Sequence, residues 1–297
     1  MDNLSGIIMA LQGAVSQGVL WGIMTLGLYI TYKVLDYADL TVDGSFALGG
    51  AVSAILIVKG MNPYLTLIFS IVAGMMAGVV TGFLNTKLKI PAILAGILSM
   101  IALYSINIRI MGKPNVALLG ETTVVTQIMD LTGLSNSVIS LLLGILFAAV
   151  ITGIMYWYFG TEIGCAIRAT GNNEYMVRAL GASTDQMKIL GLLISNGLVA
   201  LSGALVAQSQ GYADVGMGTG TLVIGLASII IGEVIFGKRF NFAYKLLSVV
   251  LGSAIYRMII AIVLQMGLKS SDLKLLTAVI VAMALSIPVV KKKIAVR

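Results

Sequence analysis

Residues 138 to 159 read Val-Ile-Ser-Leu-Leu-Leu-Gly-Ile-Leu-Phe-Ala-Ala-Val-Ile-Thr-Gly-Ile-Met-Tyr-Trp-Tyr-Phe and contain no charged side chain. A helix needs ~20 apolar residues to cross ~30 Å of hydrocarbon, so this run predicts a membrane-spanning helix. Similar runs recur along the chain from Leu11 to Val290. The bilayer is therefore the main solvent of this protein.

The composition points the same way. Of the 297 residues, 59% are hydrophobic and 10% are charged, and the mean hydropathy is +1.03, whereas a soluble domain carries about 25% charged residues. We therefore predict a single all-α membrane domain over residues 1-297, a polytopic helical bundle of about nine transmembrane helices. Residues 4 to 12 are alternatively an extra half-span or an interfacial helix, and a count of ten spans would place the N-terminus inside. The nine predicted ranges are 13 to 32, 42 to 58, 64 to 85, 91 to 111, 138 to 159, 188 to 209, 220 to 237, 243 to 266 and 273 to 290.

The basic residues divide unequally between the two sides of these spans. With the C-terminus in the cytoplasm, thirteen of the 19 lysines and arginines fall in inside loops and the tail, five fall outside, and Arg257 lies within a span. Cytoplasmic loops of membrane proteins carry the excess of Lys and Arg. We therefore expect a multi-pass protein of the bacterial inner membrane, with its N-terminus outside and its C-terminus in the cytoplasm.

What the chain lacks disfavours several classes of function. It has no histidine, a single cysteine (Cys165) and 12 acidic residues. The usual general bases and the commonest metal ligand are thus scarce, which argues against an intramembrane enzyme and against a metal site. The net charge of +7 follows from the loop asymmetry and does not require nucleic-acid binding.

Small residues and interruptions mark the spans themselves. Gly74, Gly78 and Gly82 follow the small-xxx-small pattern, which predicts close helix packing on the third span. The second span opens with residues 39 to 45 and the seventh with residues 214 to 221, and both openings are rich in Gly, Asp, Ser and Thr. Broken helices occur where backbone lines a cavity, so we expect these openings to be non-helical and to line a pathway. The candidate pathway residues are Asp43, Ser45, Gly218, Thr221 and Arg257.

The two openings are also similar to each other in sequence. Tyr37-Ala-Asp-Leu matches Tyr212-Ala-Asp-Val at an offset of 175 residues. In the predicted orientation the first copy lies inside and the second outside. Spans 1 to 4 and 6 to 9 would then form an inverted 4+4 repeat around span 5, which is a signature of transporters.

A polar segment of about 160-187, between spans 5 and 6, is predicted to form a cytoplasmic helical hairpin. Gly171-Asn172 is interpreted as the turn between two short helices, with Asn172 or Asn173 capping the second helix, and Ser183 opens the next span. Arginine on a compact protrusion is typical of a docking surface, and the alternative is an ordinary solvated loop. The residues expected to dock a partner are Glu162, Gly164, Arg168, Ala169, Gly171, Asn172, Arg178 and Gly181.

This segment carries a specific resemblance. Gly164-Cys-Ala-Ile-Arg-Ala-Thr-Gly-Asn-Asn, followed by Arg178-Ala-Leu-Gly181, resembles the coupling loop of ABC importer permeases of the branched-chain amino acid and ribose type, and so does Leu40-Thr-Val-Asp-Gly-Ser-Phe-Ala-Leu-Gly-Gly50. The latter motif and Gly225 to Glu233 are similar to permeases of the tryptophan/tyrosine type or of unknown substrate. The resemblance runs along essentially the whole chain.

The resemblance implies a function and a set of partners. The chain would be the permease of an ATP-driven importer of a small solute, an amino acid or a related metabolite, with a second permease copy, most simply in a homodimer. A cytoplasmic ATP-binding cassette ATPase would dock on the coupling loop and hold ATP and Mg²⁺, leaving no cofactor in this chain. An extracytoplasmic solute-binding lipoprotein would deliver the solute.

An ion-coupled secondary transporter is the alternative from another class. Such a carrier needs carboxylates within the bilayer. We expect the acidic residues nearest the spans, Asp43 and Glu233, to lie at cytoplasmic ends, which disfavours that alternative.

Overall fold

A computed structural model describes residues 2–236, 241–267, 272–273, 275–283 and 286. Within these residues the chain folds into long helices joined by short connections, with one two-stranded ribbon. The helices are α1 (Asp2–Tyr29, continued by a π-helix Ile30–Val34), α2 (Thr41–Val58), α3 (Pro63–Thr86), α4 (Ala92–Met111), α5 (Val124–Thr132), α6 (Asn136–Tyr158), α7 (Glu162–Asn172), α8 (Glu174–Ala179), α9 (Thr184–Gln210), α10 (Thr221–Phe236) and α11 (Phe242–Gln265). The strands are β1 (Asn115–Ala117) and β2 (Tyr212–Asp214), which pair antiparallel.

Eight of the described helices are long and apolar enough to cross a membrane, and they coincide with the first eight predicted spans. The ninth predicted span, 273 to 290, lies partly outside the described residues, although 275–283 are helical. Residues 4 to 12 are the first part of α1, which runs unbroken from Asp2. The alternative of a separate element there is therefore wrong, because these residues lengthen the first helix instead.

Helix α9 lies at the centre of the bundle and packs against α1, α2 and α3. The predicted close packing of α3 is confirmed, since a side chain at Gly74 or Gly78 would overlap a backbone oxygen of α9. A side chain at Gly203 of α9 would overlap the backbone oxygen of Phe46 in α2 in the same way. Lipid tails are as apolar as leucine, so helices in a bilayer associate through such close contacts and through hydrogen bonds between them.

Buried serines supply those hydrogen bonds around α1. The hydroxyls of Ser195 and Ser202 in α9 donate to the backbone oxygens of Gly27 and Leu20, each at 2.8 Å. Ser253 of α11 donates to Gly18 O at 2.8 Å. A hydroxyl buried in hydrocarbon needs a partner, so these bonds fix α1 between α9 and α11.

The chain is interrupted before α2 and before α10. Residues 35–40 are non-helical, and α10 follows β2, a 3₁₀ turn over Val215–Gly218 and a left-handed Gly220. The prediction of a non-helical opening is therefore confirmed for the seventh span. For the second span it is wrong beyond residue 40, because Asp39 Oδ1 accepts a hydrogen bond from Thr41 N at 2.9 Å and the helix starts there. Asp43 and Ser45 are helical residues.

Candidate functional site

Two regions bring the predicted functional residues together, and the first is the hairpin, defined here as residues 162–181. Asn173 separates its helices, with an extended backbone and a side chain that accepts from Met176 N at 3.1 Å. Gly171 and Asn172 belong to α7, so the predicted turn is one residue too early. Of the two capping candidates, Asn173 is the one that caps α8. Ser183 caps α9 as predicted, through a bond from Gln186 N.

Glycines seat the hairpin on the bundle. A side chain at Gly164 would overlap the backbone oxygen of Tyr158 at the end of α6. A side chain at Gly171 would overlap the backbone oxygen of Val34, where the π-helix after α1 ends. Gly181 has a φ of +85°, a conformation that glycine adopts without strain, and it follows the end of α8. These contacts hold α7 against the ends of two spans.

A network of charges then ties α8 to α9. Glu174 accepts from Lys188 Nζ at 2.7 Å and from Arg178 at 2.5 Å, while Arg178 Nε donates to Thr184 Oγ1 at 2.8 Å. The hydrogen bond from Lys188, with the positive charges of Lys188 and Arg178, holds the pKa of Glu174 below its usual value of 4.5. Arg178, expected to face a partner, thus has its side chain engaged within the protein.

The outer face of the hairpin carries the remaining candidates. Arg168 is exposed, with its guanidinium 5.3 Å from the ring centre of Phe242, and Glu162 and Asn172 are exposed beside it, whereas Ala169 is half-buried. Two residues of this face were not among the candidates, Tyr175 at 85% exposure and Leu180 at 78%. Tyrosine and arginine are the residues that most often anchor protein interfaces. The sequence signal that could have identified these two residues is a large apolar side chain within a polar loop.

The second region is the junction between the first turn of α2 and the start of α10. Asp43 Oδ1 accepts from Thr221 Oγ1 and Leu222 N, each at 2.8 Å, and Oδ2 accepts from Gly220 N at 2.9 Å. The carboxylate therefore caps the N-terminus of α10, where the helix dipole favours a negative charge. A side chain at Gly218 would overlap the backbone oxygen of Asp43. Three predicted pathway residues, Asp43, Gly218 and Thr221, meet at this junction.

A cleft of about 330 Å³ opens beside the junction. Its walls come from α2, from α4 and from the 3₁₀ turn before α10, so it lies where an interrupted helix exposes backbone to a cavity. The lining residues are Asp43, Gly44, Ala47, Met100, Ile101, Tyr104, Asn107, Val215, Gly218 and Thr219.

Two predicted pathway residues lie elsewhere. Ser45 is buried on the α9 side of α2, where its hydroxyl donates to Asn196 Oδ1 at 2.6 Å. Arg257 of α11 stacks on Trp21 of α1, with 3.9 Å between its guanidinium carbon and the ring centre. Neither residue lines the cleft, and a cation over an indole ring is a stabilising contact within the bundle.

Sequence reasoning missed the polar contact at the core of the bundle. Asn196 lies twelve residues into α9, about 18 Å along the helix, and its amide nitrogen donates to Asp39 Oδ2 at 2.8 Å. Asp39 is 1% exposed. The expectation that Asp43 and Glu233 are the acidic residues nearest the spans therefore overlooked Asp39. Asp43 lies in the first turn of α2, and Glu233 pairs with Lys33 at 3.3 Å near the end of α10.

Comparison with known proteins assigns the chain to a family. Residues 10–288 match the family described as the permease component of branched-chain amino acid transport systems. The tyrosine transport system permease protein of Clostridioides difficile (strain R20291) is 41% identical over 279 residues, 94% of this chain and 90% of that protein. An uncharacterised protein of Rickettsia prowazekii (strain Madrid E) is 37% identical, covering 92% of this chain and 95% of its own length.

A solved structure described as a metal-chelate type ABC transporter in an inward-facing conformation shares the fold. It aligns with 95% of this chain and 85% of its own, with a TM-score of 0.51 and 14% identity. At that identity the likeness concerns the fold alone, and the family assignment rests on the sequence matches. The resemblance noted in the sequence is confirmed: the chain belongs to the family of permease components of branched-chain amino acid transport systems and is a membrane transport subunit rather than an enzyme.

Proposed function

We propose that this chain is the translocating subunit of an ATP-driven importer that carries an amino acid across the bacterial plasma membrane. Family membership supports a permease, and the relative named as a tyrosine transport permease supports an amino acid as the solute. The observation that carries the proposal is the hairpin. It is anchored to three spans yet presents Arg168, Tyr175 and Leu180 to solvent.

The hairpin is the site proposed for a cytoplasmic ATPase, which would hold ATP and Mg²⁺ and leave this chain without a cofactor of its own. A second permease copy in a homodimer and an extracytoplasmic solute-binding protein complete the assembly. Import demands that a change in the ATPase reach the spans mechanically, through an element that differs in energy between two states. The charge network between α8 and α9 offers such a connection, because α9 contacts α1, α2 and α3.

The proposed orientation places the hairpin in the cytoplasm and the β-ribbon outside. Cysteines introduced at Asn115, in β1, and at Asn173, in the hairpin, test this orientation in a Cys165→Ser background. We expect an impermeant maleimide to label intact cells at position 115 and to leave position 173 unlabelled until the membrane is opened. The reverse pattern contradicts both the orientation and the docking site.

Charge reversal at Arg168 tests the proposed ATPase contact. If Arg168 pairs with the ATPase in a desolvated interface, Arg168→Glu costs about 2 to 5 kcal/mol of binding, and less at an exposed rim. We expect the ATPase to be lost from the purified complex, or its stimulation by the binding protein to fall. Tyr175→Ala should act in the same direction, since a truncated interface anchor costs at least ~2 kcal/mol.

Arg109→Glu is the matched control, an exposed arginine near the β-ribbon end of α4. It should retain a stoichiometric ATPase; its stimulation is not compared, because Arg109 lies on the side where the binding protein would dock. If Arg168→Glu and Tyr175→Ala behave like this control, the contact lies elsewhere. If a Gly/Ser linker in place of residues 162–181 also retains the ATPase and its stimulation by the binding protein, the proposed function is wrong.

The burial of Asp39 favours the alternative, an ion-coupled carrier. Its carboxylate is bound by Thr41 N and by the Asn196 amide, which explains its position without a transported ion. An ionophore that collapses the proton and sodium gradients separates the two functions. Uptake should continue in its presence as long as ATP is supplied.

A further inference from the structure

Two residues that line the cleft, Asn107 and Asp43, carry hydrogen-bond acceptors with unused capacity. Asn107 of α4 lines it and is 1% exposed. Its amide nitrogen donates to the backbone oxygen of Gly44 at 3.3 Å, whereas its Oδ1 has no hydrogen-bond partner. Because the Gly44 oxygen can only accept, the amide nitrogen must face it, and the oxygen is the atom left unpaired. A buried acceptor without a donor is destabilising, so a ligand that supplies the donor recovers that cost.

Asp43 supplies the second acceptor. Its Oδ1 accepts two hydrogen bonds from the start of α10, but Oδ2 accepts one, from Gly220 N. A carboxylate oxygen has capacity for two donors, so Oδ2 can accept another. Asp43 is half-buried and lines the same cleft as Asn107. The described lining contains no lysine or arginine that could provide the missing donor.

The rest of the cleft is apolar and of a suitable size for a ring. Met100, Ile101 and Ala47 line it, and Tyr104, at 57% exposure, presents an aromatic face beside them. Methionine sulfur and aromatic rings both pack favourably against an aromatic group. A cavity of about 330 Å³ is at the lower end of the range of small-molecule sites.

We infer that this cleft is a binding subsite for the protonated amine of an aromatic solute, with Asn107 Oδ1 and Asp43 Oδ2 receiving the ammonium hydrogens and Met100 and Tyr104 packing on the ring. The inference rests on the proposed function, because it places the subsite on the pathway of the transported amino acid. It adds the chemical group that the permease recognises. The carboxylate of the solute would point away from Asp43, since like charges repel across a low-dielectric cleft.

Three probes separate the groups of such a solute: L-tyrosine, tyramine, which keeps the amine and lacks the carboxylate, and 3-(4-hydroxyphenyl)propionate, which lacks the amine. Saturation-transfer NMR on the permease–ATPase complex in nanodiscs at pH 7 measures their weak binding. We expect tyramine to bind the wild type at least roughly tenfold more tightly than the propionate, as one charge-assisted hydrogen bond would provide. This comparison requires no variant.

Asn107→Leu tests the residue itself with a side chain of the same branching and the same number of heavy atoms. We expect the preference for tyramine to fall to about twofold or less, while propionate binding stays the same. Asn85→Leu is the control, the same change at an asparagine near the hairpin end of α3, and it should keep the wild-type preference. If Asn107→Leu fails to assemble with the ATPase, the wild-type comparison of tyramine with the propionate decides the inference by itself.

Equal binding of tyramine and the propionate to the wild type overturns the inference, as does no detectable binding of either. An unchanged preference in the variant also overturns it. ATP-driven tyrosine uptake into proteoliposomes, measured on the same samples, tells this failure from a failure of the proposed function. If uptake is driven by ATP but no amine preference is found, only the subsite is wrong. If ATP-driven uptake is absent, the proposed function is wrong.

Discussion

Helix α9 is fastened at two places by polar groups of different kinds. Near its centre Asn196 holds Asp39 and Ser45 at the start of α2, within a fully buried site. At its first turns Lys188 holds Glu174 of the hairpin, where the side chains are between 22% and 30% exposed. The buried site uses a neutral amide, and the half-exposed site uses opposite charges.

The difference follows from the solvent at each place. In hydrocarbon every polar group must be satisfied within the protein, and an asparagine that both donates and accepts can satisfy two neighbours at once. Next to water an ion pair is screened and contributes about 0 to 1 kcal/mol. Weak, exposed contacts suit a segment that is proposed to move with a partner, whereas strong contacts suit the bundle interior.

Among the variants that test this comparison, Asn196→Leu should cause the largest loss of stability. It leaves the Asp39 carboxylate and the Ser45 hydroxyl buried with fewer partners, which costs about 3 kcal/mol. Thermal unfolding in detergent with a tryptophan signal would measure the loss. Asn85→Leu, the control, should lower the free energy of unfolding by less than about 1 kcal/mol, since Asn85 is half-buried. Equal losses in the two variants would mean that burial does not separate the two kinds of contact.

Gly218→Ala should produce an intermediate effect. It should reduce transport more than it reduces insertion into the membrane. A methyl group there overlaps the backbone oxygen of Asp43, and overpacking typically costs about 1 to 3 kcal/mol. We expect uptake to fall roughly tenfold, equivalent to about 1.4 kcal/mol, with normal amounts of protein in the membrane. Gly216→Ala in the same 3₁₀ turn is the matched control, because its new methyl group would meet only the Asp214 carboxylate, at 3.0 Å. If Gly218→Ala transports at the wild-type rate, α2 and the turn before α10 can move apart at this junction without loss of transport.

Glu174→Gln should produce the smallest effect on stability, below about 1 kcal/mol, because the ion pairs are partly exposed. Its expected consequence is local. Hydrogen exchange of the backbone amides of residues 174 to 184 should accelerate while α9 beyond residue 190 stays protected. Protection equal to wild type would mean that the glycine contacts of α7 hold the hairpin without the charges.

The same network should respond to acid. The pKa of Glu174 is lowered in the folded protein, so its stabilisation is present above its usual value of 4.5 and disappears as the pH falls through the lowered folded-state value. Wild-type hairpin amides should therefore exchange faster, after correction for intrinsic rates, as the pH falls below 4.5. Glu174→Gln should lack this dependence.

Hydropathy predicted the eight described spans because a long uncharged run has few alternatives to a membrane helix. The caps Asn173 and Ser183 were predictable for a similar reason, since a side chain bonding to a nearby backbone N–H is a local event. The helical conformation of residues 41 to 45 was missed, although the hydrogen bond at the start of the helix, from Thr41 N to the Asp39 side chain, is equally local. At that position the expectation of a broken helix was given more weight than the local hydrogen-bonding pattern.

The candidate site was less predictable because its contacts join distant parts of the chain. Asp39 and Asn196 are 157 residues apart, and Asp43 and Thr221 are 178 apart. Neither pair is visible in a local pattern. Arg257 was selected because a charge in a span must have a partner, but the partner is the ring of Trp21 rather than the cleft.

The most direct test of the account is uptake of radiolabelled L-tyrosine into proteoliposomes. They would contain this chain with its ATPase, ATP enclosed in the lumen and the binding protein outside. We predict accumulation that requires both ATP and the binding protein, survives an ionophore, and is abolished when a Gly/Ser linker replaces residues 162–181. Accumulation driven by a proton or sodium gradient in the absence of ATP would contradict the central claim.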